Sequence, residues 1–222
     1  MSLNPPLILL VMVLVGGCSD SGDSGPPEEL TQASLPGVYT GVFPCEGCTG
    51  LTSTLWLRSD GRFFFKQRYP EDNAREAMDA YSLGRWSWID DGRAIELSGS
   101  GPKRTFMRLD RDTLVMRTNS DLEYPLTRGS TTVDMSATIR MEGEMRTLGE
   151  SVSFTECLTG FVAPVVSSGG DFARFRHQYR SAGRPGEPTY VELDGRFSWS
   201  DDGSLKSLTI ERFITVKADG AC

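Results

Sequence analysis

The chain has 222 residues, of which 38% are hydrophobic and 24% are charged, and its formal net charge is -7 at pH 7. Proteins that bind nucleic acid neutralise phosphates with Lys and Arg, so this acidic balance argues against a nucleic-acid partner and disfavours adsorption to anionic lipid. The length allows either one large domain or two small ones.

The N-terminal segment has the pattern of an export signal. The apolar run Leu7–Val15 is too short to cross a bilayer but fits the core of a secretory signal peptide over residues 1–17. The small residues before Cys18 resemble the lipobox of bacterial lipoproteins, whose cysteine is acylated and becomes the new N-terminus. In such proteins a serine at the next position, here Ser19, is associated with the outer membrane. We therefore expect acylated Cys18 to anchor the chain in outer-membrane lipid, facing the periplasm.

A tether is expected after the anchor. Residues 18–34 are rich in Ser, Gly, Asp, Pro and Glu, a composition typical of a flexible linker, so the folded part begins near Leu35. No later segment is apolar enough to span a membrane.

Four further cysteines are expected to pair, because an exported protein meets an oxidising compartment. Four cysteines allow three connectivities, and the simplest joins Cys45 to Cys48 and Cys157 to Cys222. The second bond would enclose nearly the whole second half of the folded part and contribute about 4 kcal/mol by the loop-entropy estimate. It has either a purely structural role or the role of a folding reporter, in which failed oxidation loosens the second domain and engages a signalling partner.

Alternating segments after Val38 predict β-strands. In Leu51–Leu57 the leucines share one face, and the favoured hairpin turn Asp60-Gly61 leads into Arg62–Tyr69. Further strands are predicted at Tyr81–Ile89, Ala94–Leu97, Arg104–Leu109 and Thr113–Thr118. Short strands joined by Asp-Gly turns indicate an antiparallel meander closed into a small barrel over residues 35–128.

The pattern weakens at Arg128–Thr132, which predicts a domain boundary and a second β-rich domain over residues 133–222. Its predicted strands are Met135–Met141, Ser151–Glu156, Tyr190–Leu193, Arg196–Trp199 and Leu208–Val216, with Asp194-Gly195 and Asp202-Gly203 as turns. One helix is predicted between them, with Asp171 as its cap, Phe172, Phe175 and Tyr179 on one face, and Gly183 at its end. A small barrel with one helix indicates an OB-like fold.

Two stretches resemble one known family. Tyr39–Leu51, which reads YTGVFPCEGCTGL, and the following Asp60-Gly61 turn resemble the N-terminal signature of the NlpE family of outer-membrane lipoproteins. Phe154–Gly160, the predicted helix and Val191–Phe197 resemble that family's C-terminal domain. The order of these landmarks makes the resemblance specific, and it covers most of the chain after Cys18.

The resemblance implies an all-β protein with a lipocalin-like N-terminal barrel that carries the CxxC and an OB-like C-terminal barrel with one helix. It also implies copper resistance and activation of a two-component envelope-stress response, with a periplasmic sensor kinase as the partner. The family's C-terminal disulfide falls on Cys157 and Cys222.

Three interpretations remain open for Cys45 and Cys48. As thiolates they suit Cu(I), a soft ion that accepts two or three sulfur ligands, whereas Zn(II) wants four ligands and no second CxxC or His pair is present. As a disulfide they are either a redox sensor or a clip that holds a turn. A thiol oxidoreductase would need a helix after the first cysteine, and a strand is predicted there instead.

Other site signals favour structural roles. We assign His177 in the predicted helix to surface or packing, and Met135, Met141 and Met145 to core packing rather than to a copper cluster. No Ser-His-Asp set, carboxylate pair or phosphate loop is recognisable, so we do not expect an enzyme.

The alternative function is a carrier of an apolar ligand. Trp56, Phe64, Trp86 and Trp88 alternate in the first barrel, and one of the two faces that they define must line its interior. If that interior is not filled, the barrel has room for a lipidic ligand, as lipocalin-like barrels do.

Overall fold

The structure is a computed structural model that describes residues 34–71, 76–117, 122–129, 137–167, 170–182, 187–217 and 220–222. Over these residues it contains a closed barrel, a second five-stranded sheet and one α-helix, which confirms the predicted fold class. Cys18 and the predicted signal peptide lie outside the described residues.

The first sheet is an antiparallel barrel in which each strand pairs with the next in the chain and the last pairs with the first. Its strands are β1 (Gly37–Phe43), β2 (Leu51–Leu57), β3 (Arg62–Tyr69), β4 (Met78–Ile89), β5 (Ala94–Gly99), β6 (Arg104–Arg108), β7 (Thr113–Arg117) and β8 (Glu123–Arg128). The barrel closes where Tyr39 of β1 pairs with Arg128 of β8.

Period-two alternation fills the barrel interior. On β2, Leu55 and Leu57 point inward and are fully buried, as the sequence predicts. On β3, Phe65 points inward and its ring centroid lies 6.4 Å from that of Phe106 on β6. Removing each such ring from water contributes roughly 1.5–3 kcal/mol to stability.

One end of the barrel is closed by the start of the folded chain. Leu35 is fully buried in the barrel core, and the Tyr39 hydroxyl donates a hydrogen bond to its carbonyl oxygen at 2.7 Å. The Arg128 guanidinium donates to the carbonyl oxygens of Ser34 at 2.8 Å and Pro36 at 3.0 Å. The chain therefore enters the barrel at this closed end, and β1 carries it to the opposite end.

The second sheet has the order β11-β10-β9-β12-β13, with all pairs antiparallel. Its strands are β9 (Ile139–Leu148), β10 (Ser151–Glu156), β11 (Val162–Pro164), β12 (Thr189–Trp199) and β13 (Leu205–Lys217). A parallel bridge between Val165, directly after β11, and Leu208 of β13 brings the two outer strands together, so the sheet curls into the predicted OB-like barrel.

The predicted helix is present as α1 (Phe172–Ala182), and Gly183 lies outside the described residues. Phe172, Phe175 and Tyr179 are buried on one face, and the Phe175 ring lies 5.4 Å from that of Phe213 on β13. The main-chain oxygen of Asp171 accepts the Phe175 N–H at 2.9 Å, while its carboxylate accepts the Phe213 N–H at 3.0 Å. Asp171 thus starts the helix and also fixes it to the sheet.

The predicted turn at Asp194-Gly195 is wrong, because both residues lie inside the continuous strand β12. The strand has an irregular register at this point, and a Cβ atom on Gly195 would come within 2.8 Å of side-chain atoms of Met141 and Leu208. Glycine is therefore needed here for close packing rather than for a turn. Asp194 forms ion pairs with Arg140 and Arg212, which lie on the two neighbouring strands.

Candidate functional site

The CxxC lies in the loop between β1 and β2, at the barrel end opposite the closed one. Cys45 and Cys48 form a disulfide with their Cα atoms 5.5 Å apart. Between them, Gly47 has a φ of 75°, in the left-handed region that favours glycine and lets the loop close so tightly. Both cysteines are half-buried and pack on the barrel core.

A cavity of about 820 Å³ opens beside this disulfide, at the mouth of the barrel. Leu51 and Tyr69 contribute to its wall at the barrel end, and Met78, which is 59% exposed, contributes from the start of β4. Its remaining described lining residues are Pro44, Cys45, Glu46, Cys48, Pro70, Glu76 and Ala77. The mouth is therefore mostly apolar, with two carboxyl groups in its lining.

The donor atoms at the mouth fit a soft metal ion only after the disulfide is reduced. Two thiolates from Cys45 and Cys48 would then face the cavity that the Met78 thioether also lines, and Cu(I) prefers such sulfur ligands. Within the ranges that the structure describes, no group of three or more His, Cys, Asp or Glu side chains is placed to hold a metal. Sequence reasoning missed Met78, although the β3–β4 pairing brings it opposite Tyr69.

The second disulfide anchors the loop after β10. Cys157 bonds to Cys222 with the Cα atoms 5.1 Å apart. The loop is organised by Glu156, which is 1% exposed and whose carboxylate accepts the N–H groups of Leu158 at 3.1 Å and Thr159 at 2.7 Å. Buried acceptors of this kind hold a loop in one conformation, because leaving them unpaired costs free energy.

The same loop contacts the first barrel through two arginines. The carbonyl oxygen of Thr159 accepts hydrogen bonds from Arg62 Nε at 2.7 Å and from Arg85 at 2.8 Å. The Arg62 guanidinium also lies 4.5 Å from the centre of the Phe161 ring. This contact joins the two domains at the loop that carries Cys157. Its hydrogen bonds come from charged donors, which makes them stronger than bonds between neutral groups.

A third arginine extends this interface. Arg58 donates to the carbonyl oxygen of Gly203 at 2.8 Å and lies 4.8 Å from the Trp56 ring and 5.1 Å from the Trp199 ring. The Trp56 and Trp199 rings are 5.4 Å apart in an edge-on arrangement, and Phe64 stacks near Phe161 at 5.8 Å. Sequence reasoning missed all three arginines, because main-chain acceptors on another domain leave no pattern near them.

The alternating aromatic residues of the first barrel divide between two environments. Trp86 belongs to the barrel core and Trp88 packs against it, whereas Phe64 and Trp56 lie on the outer surface and pack against the second domain. The centre of the barrel is filled by side chains such as Phe106, so space for a ligand is found at the mouth rather than at the centre.

The remaining candidates have structural surroundings. Met141 and Met145 are buried in the core of the second barrel, and Met135 lies outside the described residues. His177 is exposed on α1. None of the helices that the structure describes combines the length and the apolar composition needed to cross a bilayer.

Two family models match the chain. The model described as the NlpE N-terminal domain matches residues 39–124, and the model described as the NlpE C-terminal OB domain matches residues 135–222.

Individual proteins are also similar to it. Lipoprotein NlpE of Escherichia coli K12 is 24% identical over 193 residues, which cover 82% of this chain and 78% of that protein. The crystal structure of the Cpx pathway activator NlpE from Escherichia coli is 20% identical, covers 85% of this chain and 98% of its own, and has a TM-score of 0.34. A candidate lipoprotein from Shewanella oneidensis is 27% identical over 46% of this chain and 97% of its own, with a TM-score of 0.37.

Proposed function

Since the chain belongs to the NlpE family through both its N-terminal domain and its C-terminal OB domain, we propose that it is a non-enzymatic outer-membrane lipoprotein that senses envelope stress. In this proposal Cys18 carries the acyl chains, and the protein activates a two-component response through a periplasmic sensor kinase. The description of the Escherichia coli relative as a Cpx pathway activator supports the signalling part.

One observation carries the proposal: the loop that holds Cys157 is also the loop that contacts the first barrel. Its Thr159 carbonyl oxygen accepts hydrogen bonds from Arg62 and Arg85, while Cys222 ties the loop to the end of the chain. A change in oxidation of this disulfide therefore acts directly on the contact between the domains.

The physical mechanism is a loss of order in one loop. With the disulfide formed, the carbonyl oxygen of Thr159 is held where both guanidinium groups reach it. When oxidation fails during export, the loop gains conformational freedom, and forming the same hydrogen bonds then costs ordering entropy. The two domains separate more readily, and the surface that is exposed becomes available to the sensor kinase.

The experiment for this part is a transcriptional reporter of the two-component response in the native host. We expect the Cys157→Ser, Cys222→Ser variant to raise signalling, and Arg62→Met with Arg85→Met to raise it as well while the disulfide stays intact. Immunoblots check that the wild type and the variants are present in equal amounts. Signalling at the wild-type level in the cysteine variant would overturn the folding-reporter role.

We also propose that Cys45 and Cys48 contribute to copper resistance. Reduction of their disulfide by an external dithiol, which is itself oxidised to a disulfide, supplies two electrons and two protons and yields two thiols. Cu(I) then displaces the two thiol protons and is held by the sulfur atoms. Met78 offers a third soft donor from the same cavity wall.

An anaerobic Cu(I) competition titration tests the copper part, on a chain that starts at Ser19 and has its free thiols counted beforehand. We expect tight binding by the reduced protein that disappears in the Cys45→Ser, Cys48→Ser variant and weakens in Met78→Leu. Equal, weak binding by the wild type and the cysteine variant would contradict a direct role in copper resistance.

A further inference from the structure

A polar layer lies inside the first barrel, directly below its mouth. Ser53 is fully buried and accepts a hydrogen bond from the Gln67 side chain at 3.4 Å, and the Gln67 oxygen accepts one from Arg104 at 3.3 Å. The Arg104 guanidinium lies 5.0 Å from the centre of the Phe65 ring, which belongs to the barrel core. A charged group is thus placed among neutral partners at this end of the barrel.

Arg104 has no carboxylate partner among the described residues. Burial lowers the pKa of Arg104, and the nearby Tyr69 opposes this only in part. Removing a cation from water is unfavourable unless an anion compensates for it. An anionic group that enters the barrel would provide that compensation.

The mouth cavity borders this layer at Tyr69, whose charge also acts on Arg104. Tyr69, which lines the cavity, follows Gln67 by two residues on β3, so the two side chains share one face of the strand and lie roughly 7 Å apart. The cavity measures about 820 Å³, within the roughly 300–1,000 Å³ range of small-molecule sites. Leu51 and Met78 give it apolar walls.

From this geometry we propose that the first barrel binds a long-chain carboxylate, with its alkyl chain in the mouth cavity and its carboxylate on the guanidinium of Arg104. The site shares the mouth cavity with the proposed copper ligands, but it uses the oxidised, metal-free protein and does not depend on the sensing or copper functions. It also lies at the mouth and the layer below it, not in the filled centre of the barrel.

The charges at the rim oppose this ligand, but more weakly than Arg104 attracts it. Glu46 and Glu76 line the cavity and are exposed to water, where the effective dielectric constant is about 80. Arg104 is half-buried, where an effective value of about 20 applies, so a contact there is about four times stronger at equal distance. The two glutamates therefore reduce the affinity without reversing the preference for an anion.

The test uses 11-(dansylamino)undecanoate, a fluorescent carboxylate, with the oxidised chain that starts at Ser19. We expect saturable binding with a blue shift, and displacement by dodecanoate at a concentration about tenfold lower than by dodecylammonium. The variant Arg104→Met keeps an apolar stem and should weaken binding about tenfold, whereas Arg104→Lys should restore most of it. Arg93→Met, an exposed site near the other end of the barrel, is the control with the same change in charge.

A second pair of variants locates the alkyl chain and keeps the proposal falsifiable if Arg104→Met fails to fold. Ala77→Trp places a ring in the mouth at an exposed position and should abolish probe binding, while Ala173→Trp on the exposed face of α1 should not. Glu46→Gln with Glu76→Gln should tighten binding about twofold. Absence of probe binding, equal displacement by dodecylammonium, or unchanged binding in either folded Arg104→Met or Ala77→Trp would overturn the proposal.

Discussion

The disulfide Cys45–Cys48 joins residues three apart at an open barrel mouth, whereas Cys157–Cys222 joins residues 65 apart and fixes the loop that contacts the other domain. The first shapes a cavity wall and has contacts within its own barrel. The second lies two residues before a main-chain acceptor, Thr159, that two arginines of the first barrel share. The first disulfide is therefore local to the barrel mouth, whereas the second lies within the second domain, beside the contact between the two domains.

The largest expected effect comes from removing the long-range bond. Because a disulfide that closes 65 residues restricts the unfolded chain strongly, we expect Cys157→Ser with Cys222→Ser to lower the free energy of unfolding of the second domain by about 4 kcal/mol. Urea unfolding followed by circular dichroism measures this loss. A decrease below about 1 kcal/mol would contradict the loop-entropy estimate for this bond.

The next effect concerns the arginines at the interface. We expect Arg62→Met with Arg85→Met to destabilise the docking of the two domains by about 3 kcal/mol. Two fully buried charged hydrogen bonds would contribute more, but Arg85 is exposed, so water weakens its contribution. The two unfolding transitions should separate in urea. Arg68→Met, whose side chain is 56% exposed, serves as the control and should change stability by less than about 0.5 kcal/mol.

A double-mutant cycle sharpens the contrast between the disulfides. If the Cys157 loop transmits its order to the interface, two changes in the free energy of unfolding should not simply add: that of Arg62→Met with Arg85→Met and that of Cys157→Ser with Cys222→Ser. When all four substitutions are combined, the change should differ from their sum by about 1 kcal/mol. The same arginine pair should be additive with loss of Cys45 and Cys48. Additivity in both cycles would remove the coupling on which the folding-reporter role depends.

The sequence predicts strands well, because each strand buries one face. Alternation places Leu55 and Leu57 inside the barrel, where the structure has them. Alternation does not predict which residues pack against the outer face of a strand, however. Trp56 and Phe64 pack against Trp199, which lies on another domain, and this depends on residues far along the chain.

The same limit explains the errors and omissions. Asp194-Gly195 reads as a turn because Asp-Gly is a strong local turn signal, yet neighbouring strands pair Asp194 and crowd Gly195. The cysteines of both loops are identifiable in the sequence, Cys45 and Cys48 from their spacing and Cys157 from the simplest pairing and the family resemblance. Thr159 was not, because its functional atom is a main-chain oxygen, and Arg104 is notable only once the interior of the barrel is known.

A smaller effect is expected at the mouth. Because its loop is short, loss of the Cys45–Cys48 bond in Cys45→Ser with Cys48→Ser should cost less than about 2 kcal/mol and should leave the interface unchanged. Urea unfolding gives the stability, and hydrogen exchange at Leu158 and Thr159 reports on the interface loop. Faster exchange in that loop would contradict the local character of the mouth disulfide.

The smallest effect is a titration in the turn that contacts Arg58. Hydrogen bonds from the Ser200 hydroxyl at 2.6 Å and then from the Ser204 N–H at 2.9 Å lower the pKa of Asp202 to about 2. Because the folded pKa lies below the ordinary value of 3.8, the stabilisation is complete above pH 3.8 and is lost as the pH falls towards about 2. Carboxyl NMR should show this midpoint, and Ser200→Ala should raise it.

Both donors to Asp202 lie within two residues of it, so the low pKa is a property of the turn itself. It should therefore survive loss of either disulfide, even where the domains separate and the contact between Arg58 and Gly203 is broken. A raised pKa of Asp202 in the Cys157→Ser, Cys222→Ser variant would instead mean that docking of the first barrel holds this turn. The order imposed by the long-range disulfide would then extend beyond the Thr159 loop to the whole interface.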